Sequence, residues 1–307
     1  MPFRHITIVG VGLIGGSFAL AARRAGLSER ITGWGGRASK AKVKRQKAKG
    51  GSGSSLDKAI DRGVIDGIEE AFDAGRVSDA DLVYLAAPVG AIMDFLQERG
   101  KSIKPGAIIT DAGSTKREIC RAARERLPEG VSFVGGHPMA GSHNTGVEFA
   151  DADIFRGAPY ALMIDEQGEQ DEALSIFVEC VKAIGSRPVL ITPERHDRVI
   201  ARLSHLPQLL STALAISAEK SSLPEGPQIA GPGFAEMTRL GESRWSVWED
   251  ICRTNADEIA SALGEMSDEI EEMRRALVSE NYSDLGRIFQ KANEFLEAFN
   301  RKMLEED

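Results

Sequence analysis

The amino-acid sequence predicts an α/β protein in which a doubly wound parallel sheet is followed by an all-helical half. Short apolar runs alternate with helical stretches through the first half of the chain, and the connections between them are short. After about Gly168, apolar residues recur at helical spacing instead. The chain has 307 residues, which is enough for two domains. We therefore predict one domain over residues 1–167 and a second over residues 168–307.

A glycine-rich turn follows the first apolar run and opens the first helical stretch. The run 6–9 leads into Gly10-Val11-Gly12-Leu13-Ile14-Gly15, and residues 17–25 are helical in pattern. In a Rossmann-type unit the first glycine permits a tight turn, the second lets the backbone approach a pyrophosphate, and the third lets the helix pack on the strand. This order predicts a dinucleotide-binding loop. Its cofactor contacts are predicted to be Gly10, Gly12, Leu13, Ile14 and Gly15.

The second predicted strand, residues 30–34, bears on the choice between NAD and NADP. In NAD-binding units an acidic residue about 20 positions beyond the loop commonly binds the ribose 2′-hydroxyl. Glycines stand at that distance here, and Arg37 and Ser39 follow them. These two side chains suit a 2′-phosphate, so the sequence favours NADP over NAD. The alternative is that Arg37 is an ordinary solvated loop residue.

Residues 40–54 form a basic stretch that ends in a glycine/serine tract. Such a composition is typical of a flexible, solvated segment. The stretch resembles an inserted linker, because its deletion joins Ser39 to Ser55 and leaves a helix of normal length before Gly63. The alternative is that it adds positive potential near the cofactor's 2′-phosphate.

Three further segments follow predicted strands at residues 80–87, 107–110 and 131–134. They are Ala87-Pro88-Val89, the segment 111–116 and the segment 136–141. Ligands of doubly wound sheets lie beyond the carboxyl ends of the strands, so we expect these segments to converge near the glycine loop. This adds Ala87, Pro88, Val89 and Asp111 to the predicted cofactor contacts. Residues 160–164 are predicted to form one more strand, and an antiparallel direction is open for it.

The second half is predicted to be built from long helices. One runs from Pro193 towards Ser221 with a kink at Pro207, and others are predicted over residues 171–184, 236–240, 244–255, 256–279 and 283–304. The last two carry apolar stripes, which are usually core or subunit interface. We therefore expect an all-helical dimerisation domain and a homodimer.

Composition and charge argue against several other classes of protein. The formal net charge is −8, which disfavours a nucleic-acid partner. No apolar run approaches the roughly 18 residues of a membrane span, and the first strand begins too early to leave room for a signal peptide. The three cysteines, Cys120, Cys180 and Cys252, are predicted to be free thiols in the cytoplasm. With five histidines and no ligand cluster, no metal site is expected.

Four side chains stand out as candidates for chemistry. His137 follows a strand, and its ordinary pKa of about 6.5 suits proton abstraction near neutral pH. Ser114 is a candidate to orient a histidine or a nicotinamide, to cap the helix that begins near Lys116, or to do both. Arg239, after a Pro/Gly loop, either clamps a carboxylate or forms a surface ion pair. His205 is either a substrate contact or an ordinary core histidine.

With these residues in view, the chain resembles the prephenate/arogenate dehydrogenases of tyrosine biosynthesis. Matching motifs run through both halves of the chain: 9–16, Ala87-Pro88-Val89, 111–116, 136–141, 149–155, His196-Asp197, 204–207, Gly233-Phe234, Thr238-Arg239 and Trp248. The resemblance implies an NAD(P)-dependent oxidative decarboxylation of prephenate to 4-hydroxyphenylpyruvate, or of arogenate to tyrosine. It also implies that the ring becomes aromatic without help from a metal.

The resemblance also implies roles for individual residues. His137 would accept the proton of the substrate's ring hydroxyl, and Ser114 would bond that hydroxyl and help orient His137 and the nicotinamide. Arg239 would bind the ring carboxylate and His205 the side chain, with Ser204 and Gly141 as further substrate contacts. Gln208 replaces a second histidine, Ala235 a frequent basic residue, and Arg244-Trp245 a frequent Asp-Pro. These departures lie in the substrate half and leave prephenate and arogenate both open.

Two other functions were weighed against this one. A β-hydroxyacid dehydrogenase would share the two-domain plan, but such enzymes typically use a lysine on the helix after the sheet, and no well-placed equivalent is visible. A non-enzymatic sensor of NADP occupancy would need neither a base nor a carboxylate clamp.

Overall fold

The computed structural model describes residues 2–35, 54–141, 144–165, 171–221 and 224–305. Contacts divide the chain into two compact units. The first comprises Met1–Val199 and Arg244–Thr254, and the second comprises Ile200–Ser243 and Asn255–Asp307. The predicted flexible segment 40–54 lies outside the described residues except for Ser54, which caps a helix.

The first unit holds nine strands among its described residues. They are β1 (Phe3–Val9), β2 (Ser28–Trp34), β3 (Gly67–Ile68), β4 (Leu82–Leu85), β5 (Ile108–Asp111), β6 (Ser132–Val134), β7 (Gly136–Pro138), β8 (Pro159–Met163) and β9 (Arg187–Ile191). Its helices are α1 (Leu13–Arg24), α2 (Ser55–Asp61), α3 (Ala71–Ala74), α4 (Val89–Arg99), α5 (Arg117–Arg126), α6 (Glu172–Ala183) and α7 (Pro193–Ile200). The later helix Trp245–Thr254 also belongs to this unit.

Six strands form one parallel sheet in the order β3-β2-β1-β4-β5-β6. The chain reverses its direction of winding between β1 and β4, so the glycine turn after β1 lies at the switch point of the sheet. A smaller sheet has the order β7-β8-β9. Strand β8 is antiparallel to β7 and parallel to β9, so the predicted strand at 160–164 has one neighbour of each kind.

The apolar side chains of the large sheet separate onto its two faces. Along β4, Leu82 and Tyr84 join one core cluster while Val83 and Leu85 join the other. This alternation is what a strand buried on both faces requires. Tyr84 stacks on Phe18 of α1 with ring centroids 3.8 Å apart. Helices therefore cover both faces of the sheet, as predicted.

The second unit is helical among its described residues. It contains a π-helical turn at Ala201–His205, α8 (Leu206–Lys220), α9 (Gly226–Ile229) and α10 (Pro232–Thr238). A 3₁₀ turn at Arg239–Glu242 follows. Helix α11 (Trp245–Thr254) is the helix assigned to the first unit, and α12 (Ala256–Val278) and α13 (Tyr282–Glu305) complete the chain. The kink predicted at Pro207 is a wide π turn just before that proline, which has no amide hydrogen to donate.

The boundary between the units differs in place from the predicted 167/168. The contacts group Glu172–Ala183 and Arg187–Ile191 with the first unit, because α6 packs on the sheets and β9 pairs with β8. The sequence showed a change of pattern at this point, but these two elements complete the α/β unit.

One helical run, Pro193–Lys220, is long and apolar enough to cross a membrane by length and composition alone. No run of this kind was expected from the sequence, so that expectation was wrong by the criterion of length and composition. One helix of this kind is weak evidence for a membrane segment, since core helices of globular proteins have the same properties. A third of its apolar window is already buried within the protein.

Substitution of Gly15 would test the close packing of α1 on β1. A Cβ atom at this position would lie 2.3 Å from the Gly10 carbonyl oxygen and 2.9 Å from Ile8 Cγ2. We expect Gly15→Ala to lower the free energy of unfolding by about 1–3 kcal/mol in urea titrations, because backbone atoms must move. The matched control is Gly67→Ala, whose added methyl group meets no atom within 4 Å. It should leave the free energy of unfolding unchanged or slightly higher, and equal losses for both variants would contradict this packing.

Candidate active site

The glycine loop is built to receive an anion. Gly10 has φ +91, and a Cβ atom there would lie 2.5 Å from the Ala86 carbonyl oxygen. Gly12 is the N-cap of α1, with no capping side chain and no acidic residue in the first turn. A Cβ atom at Gly12 would meet no atom within 4 Å. The positive end of the helix dipole therefore faces open space, which fits the pyrophosphate of a dinucleotide.

The loop after β4 lies beside the glycine loop. The Ala86 amide donates to the Val9 carbonyl at 2.8 Å. Ala87 is half-buried and Pro88 exposed, whereas Val89 lies in the core. The predicted contacts Ala87 and Pro88 thus stand at the edge where a dinucleotide would lie. The Val89 side chain packs inward, so a cofactor contact there falls to its backbone.

The Asp111 side chain has a different place from the one predicted. Its carboxylate is fully buried and forms an ion pair with Lys116 Nζ, which is also fully buried. The amides of Gly113 and Gly136 donate to its two oxygens, at 2.8 and 3.1 Å. A carboxylate with no exposed surface cannot contact a cofactor from outside, so we assign Asp111 to holding the loops.

Asp111 and Lys116 together enclose the backbone of Gly136. Lys116 Nζ donates to the Gly136 carbonyl at 2.7 Å, while the Gly136 amide donates to Asp111. The Gly136 amide is therefore bound to Asp111 at the end of β5, and its carbonyl is bound to Lys116 at the start of α5. This arrangement fixes the start of β7 and therefore the backbone position of His137.

His137 is half-buried in β7 and lies against His196. His137 Nδ1 is 2.9 Å from His196 Nε2, and His196 Nδ1 is 2.8 Å from the Asp197 carboxylate. Burial lowers the pKa of His196 below its ordinary value, although Asp197 opposes the shift. Burial would raise the pKa of Asp197, but hydrogen bonds from His196 and from the Arg117 and Lys116 amides lower it. A neutral imidazole and a carboxylate therefore stand behind His137.

Ser114 is half-buried in the turn between β5 and α5. The sequence left open whether it caps the following helix. The cap is instead Asp197, whose oxygens accept from the Lys116 amide at 2.7 Å and the Arg117 amide at 2.9 Å. The capping alternative for Ser114 is therefore wrong, and its role towards a substrate stays a prediction.

In the second unit, Arg239 is exposed and its backbone is held on α8. The Gln208 amide nitrogen donates to the Leu240 carbonyl at 2.7 Å, and the Gly241 amide donates to Ser211 Oγ at 2.8 Å. Gln208 and Ser211 are both buried. Gln208, which departs from the family pattern, thus anchors the turn that carries the predicted carboxylate clamp.

His205 lies inside the second unit, with 1% of its surface exposed. The Asn255 side-chain nitrogen is 3.3 Å from His205 Nδ1. The predicted contact of His205 with a substrate would require this side chain to become exposed. Ser204 beside it is exposed, as is Gly141 in the first unit. Arg37 and Ser39, the predicted 2′-phosphate contacts, lie outside the described residues.

A group of possible metal ligands lies near the beginning of β1, at the end away from the glycine loop. His5, Glu69 and Asp79 each place one ligand atom within 4.8 Å of the others. The Arg30 guanidinium lies among them, at 2.9 and 3.0 Å from the Asp79 oxygens and 2.9 Å from His5 Nδ1. A fixed cation already balances the exposed Asp79 carboxylate, so we assign the group to ion pairing.

Several contributors to this site were missed by the sequence analysis. Lys116 was noted only as the start of a helix, and no role was given to His196-Asp197. The available signal was their position: a His-Asp pair opening a helix, and a lysine inside an otherwise apolar strand-to-helix turn. Their convergence depends on long-range packing, which local patterns do not reveal.

Comparisons with known proteins show which family this chain matches. A family model described as the nucleotide-binding domain of prephenate dehydrogenase matches residues 18–190, and one described as its dimerization domain matches residues 192–291. Prephenate dehydrogenase of Bacillus subtilis (strain 168) is 32% identical over 94% of this chain and 74% of that protein.

Two solved structures are similar over nearly their whole length. Prephenate dehydrogenase from A. aeolicus, in complex with hydroxyphenyl propionate and NAD+, has a TM-score of 0.80 and 26% identity, covering 99% of this chain and 98% of that one. Synechocystis arogenate dehydrogenase has a TM-score of 0.78 and 25% identity, covering 96% and 99%.

The buried pair of Lys116 and Asp111 gives a stability test. Lys116→Met leaves the Asp111 carboxylate buried without its cation, and we expect a loss of about 3–5 kcal/mol in the free energy of unfolding. The control is Lys182→Met, which removes the exposed partner of Glu179 and should cost less than about 1 kcal/mol. Urea unfolding of both variants measures the difference. Similar losses would show that the buried pair is not what holds the β7 strand.

Proposed function

The chain belongs to the prephenate dehydrogenase family, and we propose that His137 is the base in its NAD(P)-dependent oxidative decarboxylation of prephenate. The product is 4-hydroxyphenylpyruvate, in the pathway to tyrosine. The observation that carries the proposal is the placement of His137 beside the carboxyl edge of the sheet, backed by His196 and Asp197. A base needs a fixed ring and a nearby charge that stabilises its protonated form, and this arrangement offers both.

The chain contributes to the reaction by positioning the substrate and the cofactor and by accepting and returning a proton. The nicotinamide ring of the cofactor, when bound, supplies the acceptor for the hydride that leaves C4 of the substrate ring. The helix terminus at Gly12 would hold the pyrophosphate, and Ala87 and Ser114 would contact the nicotinamide part of the cofactor. His137 takes the proton of the C4 hydroxyl, which makes loss of the hydride easier. Ser114 bonds the same hydroxyl and limits its orientation.

The carboxylate at C1 then leaves as CO₂, and the electrons of the broken C–C bond enter the ring. The ring becomes a phenol, whose ordinary pKa is about 10, so its oxygen carries a proton near neutral pH. The proton held by His137 therefore returns to the oxygen from which it came. No net proton is released, and the histidine is ready for the next turnover.

The substrate is a dianion, and Arg239 is the proposed cation for its ring carboxylate. The guanidinium is exposed, while Gln208 and Ser211 hold the backbone of its turn. A planar guanidinium binds a carboxylate with two parallel hydrogen bonds. Ser204 and Gly141 are exposed and complete the proposed substrate contacts, and His205 remains a predicted contact.

Prephenate and arogenate differ only in the side chain, which ends in a keto acid in the first and an amino acid in the second. The Bacillus subtilis relative is named for prephenate, whereas the Synechocystis structure is named for arogenate. Gln208 offers an uncharged amide, already bonded to Leu240, where many relatives have a histidine. We propose prephenate as the substrate, with arogenate as the alternative.

The cofactor proposed is NADP, with NAD as the alternative. The A. aeolicus relative was solved with NAD+. In this chain β2 ends at Trp34 and glycines follow, so no carboxylate stands there to bind a ribose 2′-hydroxyl. Arg37 and Ser39 would instead bind the 2′-phosphate.

We also propose a cytoplasmic homodimer without a nucleic-acid or membrane partner. The matching dimerization-domain model covers the helical half. Helices α12 and α13 expose a series of large apolar side chains, namely Ile270, Met273, Leu277, Phe289, Phe295, Leu296, Phe299 and Met303. A second copy would cover these faces. The three cysteines are free, which agrees with a reducing compartment.

His137→Asn tests the proposed base. We expect kcat with prephenate to fall by about 10²–10⁴-fold, because the amide cannot accept the proton. Cofactor affinity, measured by fluorescence titration, should stay close to that of the unaltered protein, since the glycine loop is untouched. Near-normal turnover would reject His137 as the base.

Arg37 tests the cofactor preference. Steady-state assays with prephenate and arogenate, each with NAD and NADP, should give the highest kcat/KM for prephenate with NADP. Arg37→Ala should raise the KM for NADP about tenfold, the loss of roughly one charge-assisted hydrogen bond, and leave the KM for NAD unchanged. Equal changes for both cofactors would show that Arg37 does not contact the 2′-phosphate.

A further inference from the structure

We propose that His196 and Asp197 are positioning residues for His137, joined to it in a hydrogen-bonded relay that fixes Nε2 of His137 as the proton acceptor. This inference rests on the proposed role of His137. It assigns to two residues of α7 a part in the reaction that local sequence patterns did not indicate.

The relay is a chain of three side chains within the first unit. His137 Nδ1 lies 2.9 Å from His196 Nε2, and His196 Nδ1 lies 2.8 Å from Asp197 Oδ1. The two rings cross at 66° with centroids 5.1 Å apart. His196 and Asp197 are 2% and 0% exposed, so the relay runs from the half-buried ring of His137 to two buried side chains.

The direction of each hydrogen bond in the relay follows from the carboxylate of Asp197 at its buried end. An ionised carboxylate only accepts hydrogen bonds, so His196 Nδ1 must carry a proton and donate to Asp197. In a neutral imidazole the other nitrogen is then the acceptor, so His196 Nε2 accepts from His137 Nδ1. His137 Nδ1 therefore holds the proton of its ring. The lone pair of His137 lies on Nε2, which is the nitrogen that can take a proton from a substrate.

Asp197 is held in its ionised form by the element it faces. The Lys116 and Arg117 amides at the start of α5 donate to its oxygens, and the Arg117 Nε atom lies 3.4 Å from Oδ2. Burial would raise the pKa of Asp197, but the hydrogen bond from His196 and those from the two amides hold it below its ordinary value. Lys116 and Asp111, which are paired with each other, also act on the His196 ring. Asp197 is thus the carboxylate at the end of the relay, where Arg117 Nε and two backbone amides contact it.

The relay changes the energy of proton transfer. When the hydroxyl O–H bond breaks, its proton forms an N–H bond at His137 Nε2 and the ring becomes positively charged. The bond from His137 Nδ1 to His196 then strengthens, and the buried carboxylate stabilises the charge through the second ring. The proton leaves Nε2 again when the phenol forms, so the relay returns to its starting state.

The first experiment compares pH profiles of kcat/KM. Asp197→Asn removes the charge, so kcat should fall at least about tenfold and the acid limb should move to lower pH by about one unit. The sign follows because an imidazolium without the carboxylate loses its proton more readily. Glu194→Gln, on the exposed side of the same helix, is the matched control and should leave the profile unchanged. If Asp197 only caps α5, Asp197→Asn lowers the melting temperature and leaves the acid limb in place, which would overturn the relay.

The second experiment observes the tautomer without any substrate. In protein labelled with ¹⁵N-histidine, the ring nitrogen signals of His137 should show a proton on Nδ1 and a lone pair on Nε2. His196→Phe keeps a ring but removes the acceptor, and it should shift His137 towards the Nε2–H form with a fall in kcat. His196→Gln retains an acceptor and a donor and should restore part of both. An unchanged tautomer in His196→Phe would overturn the proposal.

These measurements also distinguish failure of the proposed base from failure of the relay. If His137→Asn remains active while the tautomer depends on His196, the relay exists but the proposed base is wrong. If His137→Asn is inactive while Asp197→Asn and His196→Phe behave like the unaltered protein, the base stands and the relay is rejected.

Discussion

The buried ion pair of Lys116 and Asp111 is the contact on which the rest of the site depends. Both side chains are withdrawn from water, which is unfavourable unless every charge is bonded. Here the remaining bonds go to the backbone of Gly136 and Gly113. The ion pair therefore joins the end of β5 to the beginning of β7. Because His137 is the next residue after Gly136, its position follows from that junction.

Asp197 combines two functions that are often separate. It caps α5 by accepting from two backbone amides, and it accepts from His196 behind His137. A single carboxylate thus fixes the start of one helix and the orientation of a ring on another. The same amides keep it ionised, so structural and electrostatic roles support each other. These hydrogen bonds offset the unfavourable burial of the charge.

In the second unit, buried side chains support the turn that carries Arg239. The guanidinium is exposed, but its turn is held on α8 by the buried side chains of Gln208 and Ser211. Gln208 was notable in the sequence only as a departure from the family pattern. In the structure its amide bonds the Leu240 carbonyl, so the position has a definite structural use. The burial of His205 beside Asn255 similarly places a residue predicted from resemblance inside the helical unit.

The sequence by itself determined the order of strands and helices, the glycine loop and the histidine that follows β6. These follow from local patterns: periodicity of 2 or 3.6, the need for glycine where the backbone turns tightly, and the placement of ligands at strand ends. Only the tertiary structure decided that Asp111 is buried rather than facing a cofactor, that Asp197 rather than a nearby serine caps α5, and that His196 lies against His137. The Gly136–Asp111, His137–His196 and Lys116–Asp197 contacts join residues 25, 59 and 81 positions apart in the chain. Their partners are chosen by the packing of β7 and α7 against the sheet, and no short sequence pattern encodes that choice.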